Sequence, residues 1–249
     1  MSPLIKKLNI TVDKLNLEQV CFGLLQHLLF QRTLGNFTPK EISILDIPLP
    51  VIDLKSIEDL CYKYTLDLLK TSTDRGLISL VLCENQSKKV NHWFSFSEVE
   101  TVEQVPWEIW IINFNIVVGK NDNRRRSFLN YIYVVLISII DKQIIYQNTQ
   151  NDIKNTLMAI IKFVDDNKDH IPPIMTAELH PFPFHIVVNP LSSPPVRSNS
   201  PYSLAQLSVM DYLHNENPSN TQNNNNNNNN SYFSAIARRI TQSHDTYNQ

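Results

Sequence analysis

Seven histidines and three cysteines are scattered through the 249 residues without the spacings that build a reactive centre. Metal sites draw on patterns such as Cys-x-x-Cys or His-Glu-x-x-His, which set ligands on one turn of a hairpin or helix. Neither pattern occurs. His180 and His185 stand on a stretch broken by Pro181 and Pro183, and they read as edge-strand histidines. Asp165, Asp166 and Asp169 could supply paired carboxylates for proton transfer. They fall where a helix gives way to its loop, so they read as solvated. His27 lies off the main apolar face of a predicted helix and reads as a surface or boundary residue rather than a base. Only four glycines are present, Gly23, Gly35, Gly76 and Gly119. Phosphate loops and nucleophile elbows depend on glycine for tight turns and close backbone approach. These residues therefore predict no catalytic group, no metal and no cofactor.

Cys21, Cys61 and Cys83 are odd in number and widely spaced, which is no disulfide framework. Cys21 and Cys61 fall on apolar helix faces, the pattern of reduced core thiols in a cytoplasmic protein. A net charge of −2 argues against nucleic-acid binding, which needs clustered Lys and Arg against phosphate. It argues equally against a basic membrane-surface protein. The short run Arg124-Arg125-Arg126 reads as a solvated loop, with a phosphate or lipid contact as the second reading. No apolar run of signal length follows Lys6 and Lys7, so no secretory signal is expected.

What rises above this background is aromatic. Trp93, Phe94 and Phe96 follow the polar stretch Glu84–Lys89. On an exposed loop, three such rings would anchor a protein partner, since large aromatic residues dominate binding hot spots. On a strand, Trp93 would face one side and Phe94 and Phe96 the other. The residues alone leave both readings open.

The elements that must position these rings follow from periodicity. Leu8, Ile10 and Val12 alternate with polar residues as in a half-buried strand. Leu17, Val20, Cys21, Leu24, Leu25, Leu28 and Leu29 form one face of a helix. Asn16 and Gln19 suit a capping box, and Gly35 suits the stop. Glu41–Ile52 holds Pro48 and Pro50 and reads as an extended edge segment or loop. Ser56 is expected to cap a second helix with Ile57, Leu60, Cys61, Tyr64 and Leu68 inward. Leu77–Cys83 reads as a strand, then a turn and a short strand or exposed loop up to Ser97.

Trp107–Val118 is the strongest strand, with Trp110, Ile112, Phe114 and Ile116 on one face and Trp107, Ile109 and Ile111 on the other. Phe128–Ile140 is an apolar run cut short by Asp141-Lys142-Gln143, too brief for a membrane span. Its β-branched and aromatic content predicts a buried strand. Asp152 is expected to cap a third helix that ends near Asp165, and Phe182–Val188 is a last, edge strand. After Asn189 the chain turns to Ser and Pro, then to eight consecutive asparagines at Asn223–Asn230. The span 190–230 is therefore expected to be a disordered linker, with at most a transient helix at Leu204–Leu213. Residues 231–249 hold a short amphipathic stretch, Tyr232–Ile240, and a tail.

This order resembles the HORMA fold, and particular stretches resemble the autophagy-related protein 101 family. The end of the first helix, Arg32-Thr33-Leu34-Gly35-Asn36-Phe37, is similar to the family's Arg, Gly, Phe sequence. Pro106-Trp107-Glu108-Ile109-Trp110 looks like its Pro-Trp-Glu-hydrophobic-Trp strand opening, and Pro181-Phe182-Pro183-Phe184-His185-Ile186 like its late aromatic strand. Trp93 with Phe94 or Phe96 looks like its exposed Trp-Phe finger, although Ser95 and a longer loop replace the family's tighter spacing. Arg126–Gln150 looks like an insertion.

The resemblance covers about residues 4–188 and implies an α+β HORMA domain over 4–189. Its sheet would be mostly antiparallel, with three helices on one face and a disordered carboxy-terminal tail. It further implies a non-enzymatic adaptor in the cytoplasm and, on starvation, at the preautophagosomal structure. There it would pair with the HORMA domain of autophagy-related protein 13 in the autophagy-initiating kinase complex and recruit downstream factors through the finger. The alternative is a peptide-binding HORMA protein of spindle or chromosome signalling, which would close a belt that the Pro-capped edge at Pro181–Val188 disfavours.

Overall fold

The computed structural model describes residues 2–90, 99–117, 128–174, 182–190 and 201–216. Its strands are β1 (Leu4–Asp13), β2 (Pro39–Ile44), β3 (Ile47–Ile52), β4 (Arg75–Val90), β5 (Val99–Val117) and β6 (Phe184–Val188). Its helices are α1 (Leu17–Arg32), α2 (Lys55–Thr71), α3 (Phe128–Asp166) and α4 (Pro201–Glu216). A four-stranded sheet has the order β1-β5-β4-β6, and β2 and β3 form a separate hairpin. β1 runs parallel to β5, while the β5–β4 and β4–β6 ladders are antiparallel. The expected α+β architecture holds, and it is consistent with a HORMA-like fold.

The main core lies between one sheet face and three helices. From the sheet come Leu8, Ile10, Val12, Ile78, Leu80, Trp110, Ile112 and Phe114. All seven apolar residues singled out on α1 are buried, α2 adds Ile57, Cys61 and Leu68, and α3 adds Ile153, Leu157 and Ile160. Gly23 of α1 allows the β2–β3 hairpin to close over it, because a Cβ there would stand 2.1 Å from Ile44 Cδ1. The hairpin turns through Leu45 and Asp46, both at positive φ, as a tight two-residue connection requires.

Several local expectations are corrected. Asn16 makes no capping bond; its amide donates to Asp13 Oδ2 at 2.6 Å, while Gln19 donates to the Ser43 carbonyl at 3.0 Å. The left-handed residue after α1 is Leu34 rather than Gly35. Ser56 lies inside α2, whose cap position is Leu54. The hairpin partners Pro48 and Pro50 are accommodated because β3 is an outer strand.

Phe128–Ile140 is not a strand but the beginning of the 39-residue α3. A continuous apolar run carries no period that separates helix from strand. The suspected insertion at Arg126–Gln150 therefore forms, from Phe128 on, the first part of that helix, and Asp152 lies within it rather than at its cap. Among the described residues no helix is long and apolar enough to cross a membrane.

The second sheet face is also covered. Val81, Cys83, Ile109, Ile111 and Val187 pack against Ala205 and Val209 of α4. Part of the span read as a disordered linker is thus a docked helix; the rest of 190–230, and Tyr232–Ile240, lie outside the described residues.

Candidate functional site

β4 and β5 outrun their neighbours. β6 accompanies β4 only over Ile78–Leu82, and β1 accompanies β5 only over Glu108–Val117. Among the described residues the β4–β5 ladder continues without a third strand, from Cys83 opposite Pro106 to Val90 opposite Val99, save that the Cys83 amide donates to the Pro183 carbonyl. Eight residues per strand at ~3.3 Å each make a two-stranded ribbon of about 25 Å. Its described side chains are polar and largely exposed at Asn85, Gln86 and Ser87, with Val102 exposed on the other strand. Trp93, Phe94 and Phe96 belong to the connection between Val90 and Val99 and lie outside the described residues.

The base of the ribbon is built by one irregularity. Leu82 pairs with Glu108 and Cys83 with Pro106, so Trp107 is an extra residue, a β-bulge. A bulge re-aims side chains and bends its strand, and a proline beside it removes no needed ladder bond. The consequence is a correction: Trp107, expected beside Ile109 and Ile111, joins Trp110 in the main core. Trp107, Glu108 and Trp110 then converge on the end of α1.

There the Arg32 guanidinium makes a bidentate pair with Glu108: Nε donates to Oε1 and Nη2 to Oε2, each at 2.8 Å. Trp110 Nε1 also donates to Glu108 Oε1, at 2.5 Å. Both charged side chains are fully buried. The guanidinium lies over the Trp107 ring, 5.9 Å from its centroid, and Phe182 packs on the same indole at 5.3 Å. His170 bonds the Trp107 carbonyl through Nε2 at 2.8 Å, and His185 bonds Gln104 Oε1 at 2.8 Å where the ribbon leaves the sheet. Among the described residues, Arg32 Nη1 and Trp107 Nε1 are buried without a hydrogen-bond partner. A charge pair sealed from solvent ties the end of α1 to the base of the ribbon.

The other described residues considered for chemistry make structural contacts. His27 is buried, not at a boundary, and its Nδ1 lies 3.1 Å from the Pro50 carbonyl. Burial is the main cause of its lowered pKa, partly opposed by that bond. Burial likewise lowers the pKa of His185. All three thiols are buried, and burial pushes each up to about 12, far from the reactive thiolate range. Asp165 pairs with Lys168 on the surface. Among the described residues no three His, Cys, Asp or Glu side chains cluster as a metal site. His180 and Arg124–Arg126 lie outside the described residues.

A second surface runs along α3. Ile140, Ile144, Met158 and Ile161 are exposed, and at 100° per residue they share an arc of roughly 100°. The helix is pinned below this stripe. Tyr146 donates to Asp46, Thr149 and Gln150 donate to the Thr11 and Leu45 carbonyls, and Asp152 accepts the Thr11 amide at 3.2 Å. Those bonds to Thr11 occupy outward backbone groups of the edge strand β1.

Sequence reasoning missed the Arg32–Glu108 pair, although a signal was present. Arg32 continues the i+3, i+4 series of the buried α1 face, and Glu108 shares the strand alternation of Trp110 and Ile112. Opposite charges at two core positions announce each other, because a lone buried charge is prohibitively costly.

A sequence profile of the family described as autophagy-related protein 101 matches residues 9–178. A curated protein from Arabidopsis thaliana called autophagy-related protein 101 is 24% identical over 215 residues, which span 84% of this chain and 93% of that protein. The matched stretch includes α1, the bulge, both strands of the ribbon and α3.

Proposed function

The chain belongs to the autophagy-related protein 101 family, and from that premise we propose that it is a non-enzymatic adaptor of the autophagy-initiating kinase complex. In this reading it pairs with the HORMA domain of autophagy-related protein 13. It recruits downstream factors through Trp93 with Phe94 or Phe96, and on starvation it works at the preautophagosomal structure. The observation that carries the reading is the β4–β5 ribbon. Its outer length has no sheet neighbour among the described residues, its base carries a buried ion pair, and its connecting residues include the three aromatics. A two-stranded arm whose connecting sequence carries three aromatic residues suits capture of a protein partner. The exposed stripe on α3 offers a separate surface for pairing, so one partner need not block the other.

The test has two arms. Trp93→Ala with Phe96→Ala is expected to leave the melting temperature and pairing with autophagy-related protein 13 unchanged while abolishing autophagosome formation in rescued, starved cells. Met158→Asp with Ile161→Asp is expected to weaken pairing in a pull-down of purified proteins. A finger variant that is stable and fully active removes the recruiting role. Purified proteins that stay monomeric when mixed at micromolar concentration remove the pairing.

A further inference from the structure

α3 guards only one end of the outer strand β1. At Thr11 it takes both outward backbone groups: the amide donates to Asp152 and the carbonyl accepts from Thr149, each at 3.2 Å. The backbone groups of a strand turn inward and outward with a period of two. Thr11 faces outward, so Asn9 does too, and among the described residues no strand lies beyond β1. Asn9 is exposed. Its side chain accepts from Asn113 at 3.0 Å, toward β5 rather than toward the open edge. Beside this stretch a cleft of about 240 Å³ opens between residues 6–9 of β1 and a stripe of α3 made by Asp152, Asn155, Thr156 and Ala159. These four recur at i, i+3, i+4 and i+7, one face of the helix. That face is turned roughly 110° from the apolar stripe of α3, so a partner seated on the stripe leaves the cleft open. The charge of the cleft is divided. Lys6 stands at one end, its ammonium 5.3 Å from the centroid of the Phe163 ring, and Asp152 stands at the other.

We propose that this cleft is a strand-addition site, separate from the two surfaces above, which takes an extended segment of a partner protein antiparallel to β1. The segment enters beside Asp152 with a neutral or basic residue, pairs its backbone with Asn9, and leaves beside Lys6 with a carboxylate. Main-chain hydrogen bonds supply the affinity of such an addition, and the opposite charges at the two ends set its direction. An added strand lies about 4.8 Å from its neighbour, whereas a helix with its side chains is ~10–12 Å across, so an extended chain is the occupant that fits. A second copy of β1 does not. Laid antiparallel on residues 4–9, it would set Lys6 opposite Lys7, and like charges directly opposite each other are destabilising.

The experiment is fluorescence anisotropy of the full chain with a labelled synthetic peptide, Lys-Thr-Val-Thr-Val-Asp-Asp, and with the same peptide reversed in sequence. The first is expected to bind at least about tenfold more tightly than the second, whose charged ends meet their like. Lys6→Glu is expected to weaken the first peptide at least about tenfold and to narrow the gap between the two. Asn9→Pro removes the outward amide while the inward ladder to β5 stays whole, so it is expected to weaken both peptides with little change in the thermal melt. Should Asn9→Pro melt early, Lys6→Glu decides alone. Wild type that binds neither peptide, or both equally, overturns the proposal. So does binding that Lys6→Glu leaves undiminished. Self-association of wild type that Asn9→Pro abolishes overturns it as well, and marks the edge as an interface between copies.

Discussion

Glu108→Gln is the sharpest perturbation of the ribbon base. The substitution keeps shape and volume but removes the charge that two Arg32 nitrogens bind at 2.8 Å. The guanidinium left behind is fully buried, and arginine side chains carry their charge throughout. Breaking one half of a buried pair costs about 3–5 kcal/mol, since the remaining charge is uncompensated. Against a total stability of ~5–15 kcal/mol this is a large fraction. Read by urea denaturation with a slope near ~2 kcal/mol/M, the midpoint falls by about 2 M. The control is Arg32→Met with Glu108→Leu, which replaces both charges by apolar groups. Such replacements are often close to neutral, but here Trp110 Nε1 loses its acceptor, at about 1–3 kcal/mol. The double variant is therefore expected to be more stable than the single one. A Glu108→Gln protein within about 1 kcal/mol of wild type, or a double variant less stable than the single, would refute the reasoning.

Three further outcomes follow from packing and titration. Burial pushes Cys21, Cys61 and Cys83 up to about 12, so a disulfide reagent at pH 8 is expected to leave the native thiols untouched and to titrate all three at once in denaturant. His27 and His185 have lowered folded pKa values, so the unfolded chain takes up their protons first as pH falls. Stability is then expected to hold from pH 8 to 7 and to decline below about 6.5, with His27→Gln flattening part of the slope in urea midpoints measured across that range. Gly23→Ala places a methyl group 2.1 Å from Ile44 Cδ1; with Ile44 fully buried, a loss of about 1–3 kcal/mol is expected, and Ile44→Val, which deletes that atom, is expected to recover part of it.

Where the chain carries a clean period, the structure was legible. The alternation at Leu8, Ile10 and Val12 and the seven apolar positions of α1 are core in the fold, because burying one face of a regular element is what sets such spacings. Phe128–Ile140 has no period, and local β propensity pointed the wrong way; helix and strand alike can be apolar throughout. α4 was obscured by its flanks, since Ser, Pro and Asn tracts dominate the composition of 190–230 while Ala205 and Val209 are small anchors. The Trp107 bulge leaves no mark on a strict two-residue alternation, so the tryptophan was assigned to the wrong face. The aromatics Trp93, Phe94 and Phe96 were singled out by type and context alone and lie outside the described residues.

The parallel ladder between β1 and β5 also imposes a schedule on the newborn chain. Leu4 pairs with Glu108 and Asp13 with Val117, so about a hundred residues must be made between the first strand and the one it binds. At ~5–20 residues per second this wait lasts roughly 5–20 seconds. During it the apolar face of α1 has no complete sheet to cover it, and the β2–β3 hairpin is the first cover synthesised, followed by α2. Closing so large a loop is entropically costly, and folds dominated by distant pairings form slowly. The hairpin that Gly23 admits against α1 thus shields the earliest apolar surface until β5 is made. Variants that loosen it are expected to aggregate during synthesis more than their equilibrium stability alone would suggest.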